Sequence, residues 1–147
     1  MKKSTNELCH FNYRLSLFHK LLGVDFSSCF EYSCCINKLN IQKHDGVLDV
    51  GALKSCFPLF LVKKGANVIA LDVDERVYNQ KKYAKKVGLN FSNDNDNAFD
   101  VKIGDARKID FPDSSFDAVT CISAIEHIPG DGDIEAVKMM LGLPGYF

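Results

Sequence analysis

From Gly46 onwards, short apolar runs alternate with segments of helical pattern, and this alternation restricts the chain to one fold class. The runs predict strands over Val47–Val50, Asn67–Asp72, Ala98–Ile103 and Phe116–Ile122, and the segments predict helices over Lys54–Lys64, Glu75–Val87 and Asp133–Leu141. Strands that alternate with helices form a parallel sheet, because each helix returns the chain to the end where the next strand begins. The sequence therefore predicts an α/β fold, with a mostly parallel sheet flanked by helices and right-handed crossovers.

The first 45 residues have a helical pattern instead. Apolar residues recur at spacings of three and four over Leu8–Leu22, and a second helix is expected over Phe26–Leu39. We therefore expect two parts, an N-terminal helical segment over residues 1–45 and an α/β domain over residues 46–147. The polar residues 90–97 are rich in Asn and Asp and predict a surface loop in that domain.

The composition of the 147 residues argues against several classes of protein. The 18 basic and 19 acidic side chains give a net charge of −1, whereas a protein that binds nucleic acid in bulk has a strong basic excess. There is no run of 18 apolar residues, which argues against a membrane span, and no apolar leader follows the first lysines. We expect a cytoplasmic protein with one hydrophobic core.

Six cysteines are present, and Cys29, Cys34 and Cys35 form their only cluster in sequence. Zinc sites need paired cysteines or histidines at defined spacings, which this cluster lacks. Disulfide frameworks are typical of small exported domains, and this sequence has no export signal. The sequence predicts reduced thiols and no metal site.

Three residues at predicted strand ends point to a ligand site. In open α/β sheets, ligands bind at the carboxyl ends of the strands. Gly51 allows a sharp turn and a close approach of the backbone to a ligand, and Asp72 ends the second strand, where a carboxylate can hold two ribose hydroxyls. Asp105 follows the third strand and can accept a hydrogen bond from an adenine amine. Together these positions predict a slot for adenosine.

Four segments in this order, LDVG, VIALDVD, IGDARKIDFPDSSFDAV and SAIEHIP, resemble the class I S-adenosylmethionine-dependent methyltransferases. The resemblance covers residues 46–146 and implies a Rossmann-like fold with S-adenosylmethionine as the cofactor. It also assigns places around the cofactor to ten residues. These are Asp49, Gly51, Ala52 and Leu53 beside the methionine end, Asp72 at the ribose, Val73 beside the adenine, Asp105 and Ala106 at the adenine edge, and Ile122 and Ser123 at the transfer site.

The first turn departs from the family pattern, because Leu53 and Ser55 stand where relatives usually have glycine. The dinucleotide fingerprint needs such glycines for the approach of a pyrophosphate, so a nicotinamide-dependent oxidoreductase is disfavoured. S-adenosylmethionine has no pyrophosphate, and Ser55–Leu59 resembles a subset of the family with few glycines in this turn. Binding of S-adenosylmethionine remains the expectation.

The second departure is the number of strands. The family has seven, and this sequence ends at Leu143–Phe147, which resembles the turn before the fifth. We expect an incomplete domain with four strands in the spatial order 3-2-1-4, truncated after the fourth. That strand would then be an exposed edge, through which the chain could form a homo-oligomer.

Methyl transfer to a hydroxyl needs a base, and His127 is the candidate, with Glu126 able to orient it. A packing role for His127 is an equally good interpretation. We expect a methyltransferase acting on a small-molecule, lipid or saccharide acceptor. The alternative is a catalytically inactive, truncated module for S-adenosylmethionine binding or for assembly.

Overall fold

The computed structural model describes residues 26–53, 55–89 and 98–143. The predicted helix over Leu8–Leu22, the predicted loop over residues 90–97 and the turn at residues 144–147 lie outside these ranges. The described helices are α1 (Phe26–Leu39), α2 (Phe57–Lys64), α3 (Asn79–Lys86) and α4 (Gly132–Leu141), and the described strands are β1 (Gly46–Val50), β2 (Asn67–Asp72), β3 (Phe99–Ile103) and β4 (Ala118–Cys121).

The four strands form one parallel sheet in the order β3-β2-β1-β4. In the register, Val50 of β1 lies beside Leu71 of β2 and Cys121 of β4, so three strands end together. Asp72 lies beside Ile103 at the end of β3. The predicted fold class and strand order are both confirmed, and the carboxyl ends of all four strands meet at one edge of the sheet.

Two predicted helices begin later than the sequence pattern indicated. The helix expected from Lys54 begins at Phe57, because Pro58 occupies its first turn and the residues before it form a turn. The helix expected from Glu75 opens as a 3-10 turn over Glu75–Tyr78 and becomes α3 only at Asn79. Asp74 is the N-cap of this 3-10 turn, and its side chain accepts a hydrogen bond from the Arg76 amide.

The core has two layers, one on each face of the sheet. Helices α2 and α3 cover the first face, with Phe57 and Phe60 fully buried against alternate strand residues such as Val47. The residue next to Val47, Leu48, points to the second face, where α4 packs with its methionines. Helix α1 joins the first layer through Tyr32, whose ring centroid lies 5.1 Å from that of Phe57.

None of the helices within the described ranges is long and apolar enough to cross a membrane. In the same residues there is no cluster of His, Cys, Asp and Glu that could hold a metal ion. Within the described ranges, no disulfide joins the cysteines, which are Cys34, Cys35, Cys56 and Cys121.

Candidate functional site

A cleft of about 490 Å³ lies across the carboxyl ends of the strands, which is large enough for a small ligand. Its lining includes eight of the residues that the sequence assigned to a site: Gly51, Leu53, Asp72, Val73, Asp105, Ala106, Ser123 and His127. Three assigned residues, Asp49, Ala52 and Ile122, do not line the cleft. The structure therefore brings together residues from the ends of all four strands, as the parallel topology predicts.

Asp72 is held in place by the backbone on both sides of it. Its Oδ2 accepts a hydrogen bond of 3.0 Å from the Leu53 amide, and its Oδ1 accepts one of 2.9 Å from the Asp74 amide. A carboxylate has about four lone-pair sites, so each oxygen of this half-buried group can accept one more donor. This carboxylate can therefore bind two hydroxyls of a ligand while keeping both backbone contacts.

Gly51 makes the turn that follows β1. Its φ of +77° lies in the left-handed region, and its amide donates to the Leu71 carbonyl at 2.8 Å. A Cβ on this residue would lie 2.2 Å from the Cβ of Ala124, which is in the loop after β4. Only glycine fits between these two loops, and its small size keeps that part of the cleft floor close to the backbone.

Ala52 and Ile122 belong to the hydrophobic core layer and do not line the cleft. Ala52 is fully buried in the core layer under α2, because the chain turns inward directly after Gly51. Ile122 is half-buried and packs against the same layer. Both residues support the site from behind, and the expectation that they face the cofactor does not agree with these positions.

Asp105 lines the cleft but is engaged by Arg107. The guanidinium and the backbone amide of Arg107 together donate to both carboxylate oxygens, in a fork at the surface. These hydrogen bonds from Arg107 lower the pKa of Asp105 to about 2. The carboxylate is therefore ionised at neutral pH, and its acceptor sites are filled unless Arg107 moves. Arg107 was not predicted as a site residue, and the Asp-x-Arg spacing, which also pairs Asp74 with Arg76, is the sequence signal that could have indicated it.

Asp49 lies beneath the cleft, where the alternation of β1 directs it to the same face as Val47. It is buried, and its Oδ1 accepts a hydrogen bond of 2.6 Å from the Thr120 hydroxyl. Burial raises the pKa of Asp49 to about 7, the Thr120 hydrogen bond opposes this, and the charge of Asp72 adds to it. Asp49 is therefore a structural acid of the sheet, close enough to Asp72 to sense its charge.

We expect Asp49 to make the stability of the fold fall as pH rises from about 4 to about 7. Over this range the unfolded chain has released the proton of Asp49 while the folded protein still holds it, so a higher pH favours unfolding. Asp49→Asn should remove this dependence, because the amide accepts the Thr120 hydrogen bond without a charge. Urea denaturation at a series of pH values measures the effect. If the free energy of unfolding changed with pH in the same way for the variant and the wild type, this prediction would be contradicted.

The end of the cleft near β4 combines Ser123, His127 and helix α1. Ser123 has a φ of +51°, and its hydroxyl donates to Oε2 of Glu31 at 2.9 Å. His127 is exposed in the 3-10 turn Ile125–His127, and no hydrogen bond joins its ring to Glu126 or to another residue of the described ranges. The imidazole is accessible to a ligand in the cleft, and Glu126 does not orient it.

The fold and the cleft define a Rossmann-like α/β protein with a ligand site at its strand ends. The chain belongs to the methyltransferase domain family, whose family model matches residues 48–140. A comparison with curated proteins finds no match.

Several solved structures share the fold of this chain. The PH0226 protein from Pyrococcus horikoshii OT3 is similar at 24% identity and a TM-score of 0.66, covering 84% of this chain and 56% of that one. A SAM-dependent methyltransferase from Aquifex aeolicus is 19% identical with a TM-score of 0.61, covering 78% and 58%. The YcgJ protein from Bacillus subtilis is 20% identical with a TM-score of 0.63, covering 78% and 46%. The chain thus spans about half the length of these proteins.

Proposed function

We propose that this chain binds S-adenosylmethionine in the strand-end cleft and transfers its methyl group to a small-molecule, lipid or saccharide acceptor. The observation that carries the proposal is the placement of Asp72 and Asp105 at the ends of neighbouring strands, in one cleft that begins at Gly51. Membership in the methyltransferase domain family supports the same activity.

The described residues fit this cofactor. Asp72 has two free acceptor sites for the ribose hydroxyls, and the exposed side chain of Val73 offers an apolar surface to one side of the adenine, with Ala106 also in the lining. Gly51 lines the cleft where the methionine end would lie, and its missing Cβ lets the loop after β4 pack against the turn there. The described part of the lining contains no glycine-rich phosphate loop, in agreement with a ligand that has no pyrophosphate.

When bound, the sulfonium supplies an electrophilic methyl group, and the protein mainly has to align the acceptor with it. His127 and Ser123 both line the cleft after β4, which supports an acceptor site at this end. The imidazole nitrogen of His127 can take the proton of a hydroxyl acceptor as the methyl group is transferred. Glu31, which holds the Ser123 hydroxyl, adds a carboxylate to this end of the site.

Titration with S-adenosylhomocysteine, followed by calorimetry, tests cofactor binding. We expect saturable heat with one site per chain, because the product shares every part of the cofactor except the methyl group. The absence of heat at high micromolar concentration would remove the proposal. Methyl transfer is then tested with labelled S-adenosylmethionine and mixtures of hydroxyl-bearing small molecules, lipids and saccharides.

Release of Asp105 from Arg107 should strengthen the binding of adenosine ligands. Because Arg107 fills the acceptor sites of this carboxylate, an adenine amine has to displace it. We expect Arg107→Ala to lower the Kd for S-adenosylhomocysteine by about threefold, from the gain of one hydrogen bond of about 0.5–1 kcal/mol. Arg76→Ala is the matched control, because Arg76 grips Asp74 with the same geometry outside the cleft. Equal Kd values for both variants and the wild type would show that Asp105 does not contact the adenine.

A second candidate function is a module for assembly without catalysis, and the sheet edge favours it. Among the described strands, β4 pairs only with β1, so its other edge presents unpaired backbone groups. A second copy of the chain could pair there and form a homo-oligomer. Light scattering over a range of protein concentrations tests this: a dimer is expected, and a monomer throughout would remove the candidate.

A further inference from the structure

Gln80 is a buried amide at the beginning of α3, and it is not explained by packing alone. Its side chain is fully buried, on the face of α3 that also buries Ala84. An amide in an apolar layer is unfavourable unless its polar atoms are hydrogen-bonded. The partners of Gln80 therefore indicate why an amide stands at this position.

Both amide hydrogens of Gln80 go to the turn that follows β1. Its Nε2 donates to the carbonyl of Ala52 at 2.7 Å and to the carbonyl of Ser55 at 2.6 Å. Because both partners are carbonyl oxygens, the nitrogen of the amide has to face them, which fixes its orientation. Its Oε1 is buried and has no hydrogen-bond partner among the described residues. The Nε2 group of Gln80 thus hydrogen-bonds to this turn even though Oε1 of the same amide is left without a hydrogen bond within the described ranges.

The turn needs such a contact, because glycine is absent from it after Gly51. Gln80 holds the carbonyls of Ala52 and Ser55 from the core side, while Asp72 holds the Leu53 amide from the cleft side. Gln80 and Asp72 therefore hydrogen-bond to the same turn from opposite sides. Only Asp72 lines the cleft, so Gln80 acts at a distance from any ligand.

We propose that Gln80 is the positioning residue of the cofactor site: it fixes the turn so that the Leu53 amide and the Asp72 carboxylate meet in the geometry that binds S-adenosylmethionine. This inference rests on the proposed function. It explains how a turn without glycine after Gly51 keeps a fixed shape at the site.

Gln80→Met tests the inference, because methionine has a similar shape and no donor. We expect the Kd for S-adenosylhomocysteine to rise about tenfold as two hydrogen bonds to the turn are lost. Hydrogen exchange of the Leu53 amide should accelerate in parallel, since its bond to Asp72 depends on the turn. Val77→Ala is the control. Val77 is fully buried in the preceding 3-10 turn, and its aliphatic side chain cannot hydrogen-bond to the turn after β1. It should lower Tm while leaving the Kd and the Leu53 exchange rate unchanged.

An unchanged Kd and an unchanged Leu53 exchange rate in Gln80→Met would overturn the inference, and so would equal losses in Val77→Ala. If Gln80→Met does not fold, the wild-type protein provides the test. Addition of S-adenosylhomocysteine should slow exchange of the Gln80 side-chain amide together with the Leu53 amide, and no change at Gln80 would contradict the inference. If the wild type does not bind S-adenosylhomocysteine, the proposed function fails instead, whereas the exchange rate of Leu53 in Gln80→Met still reports whether Gln80 holds the turn.

Discussion

Asp72→Ala should weaken the binding of S-adenosylhomocysteine by about 10- to 150-fold, or about 1.4–3 kcal/mol. The substitution removes the carboxylate that we propose accepts two ribose hydroxyls, and it also releases the amides of Leu53 and Asp74. The ligand therefore loses its hydrogen bonds to Asp72, and the turn after β1 loses the contact that holds the Leu53 amide. Calorimetric titration of the variant and the wild type under the same conditions measures the loss.

Asp74→Ala is the matched control for this prediction. Asp74 lies two residues after Asp72 and is also half-buried, but its carboxylate caps the 3-10 turn and pairs with Arg76 outside the cleft. The variant keeps the Asp74 amide that donates to Asp72. Its Kd should equal that of the wild type. Equal affinity of Asp72→Ala and wild type would show that the ribose does not lie at Asp72.

Gly51→Ala should destabilise the fold by about 2–5 kcal/mol. About 1–2 kcal/mol comes from placing a Cβ in the left-handed region, and about 1–3 kcal/mol from overpacking against Ala124. The new Cβ would lie 2.2 Å from that of Ala124, so the loops after β1 and β4 have to separate. Chemical denaturation measures the stability, and the Kd for S-adenosylhomocysteine should rise because both loops line the cleft.

Gly88→Ala separates the two contributions. Gly88 has a φ of +82°, close to that of Gly51, but no atom of the described ranges lies within 4 Å of a Cβ placed on it. Gly88→Ala should therefore lower the free energy of unfolding by only the cost of the left-handed backbone, about 1–2 kcal/mol. The Kd for S-adenosylhomocysteine should stay unchanged. Equal destabilisation by the two substitutions would mean that the contact between the loops does not contribute.

The sequence predicted the fold well because the signals for a parallel sheet are local. Buried strands are continuous apolar runs, and β2 has the predicted bounds, Asn67–Asp72. The errors lie where the signal is weaker. The residues before Pro58 are compatible with a helix by composition, and only the turn held by Gln80 and Asp72 shows why the helix begins at Phe57.

The candidate site was predictable as far as topology determines it. Residues directly after strands, such as Asp72 and Asp105, have to meet at one edge of a parallel sheet. Asp49 is inside a strand, and the alternation of side chains turns it away from that edge toward Thr120. Gln80 could not be predicted, because its role depends on two carbonyl groups more than 20 residues away that only the folded chain brings to it.

A crystal structure of the chain with S-adenosylhomocysteine tests the central claim most directly. The proposal predicts that the two ribose hydroxyls lie within about 3 Å of the Asp72 carboxylate oxygens, with the adenine beside Val73 and Ala106. A ligand bound elsewhere on the protein, or one whose ribose points away from Asp72, would contradict it.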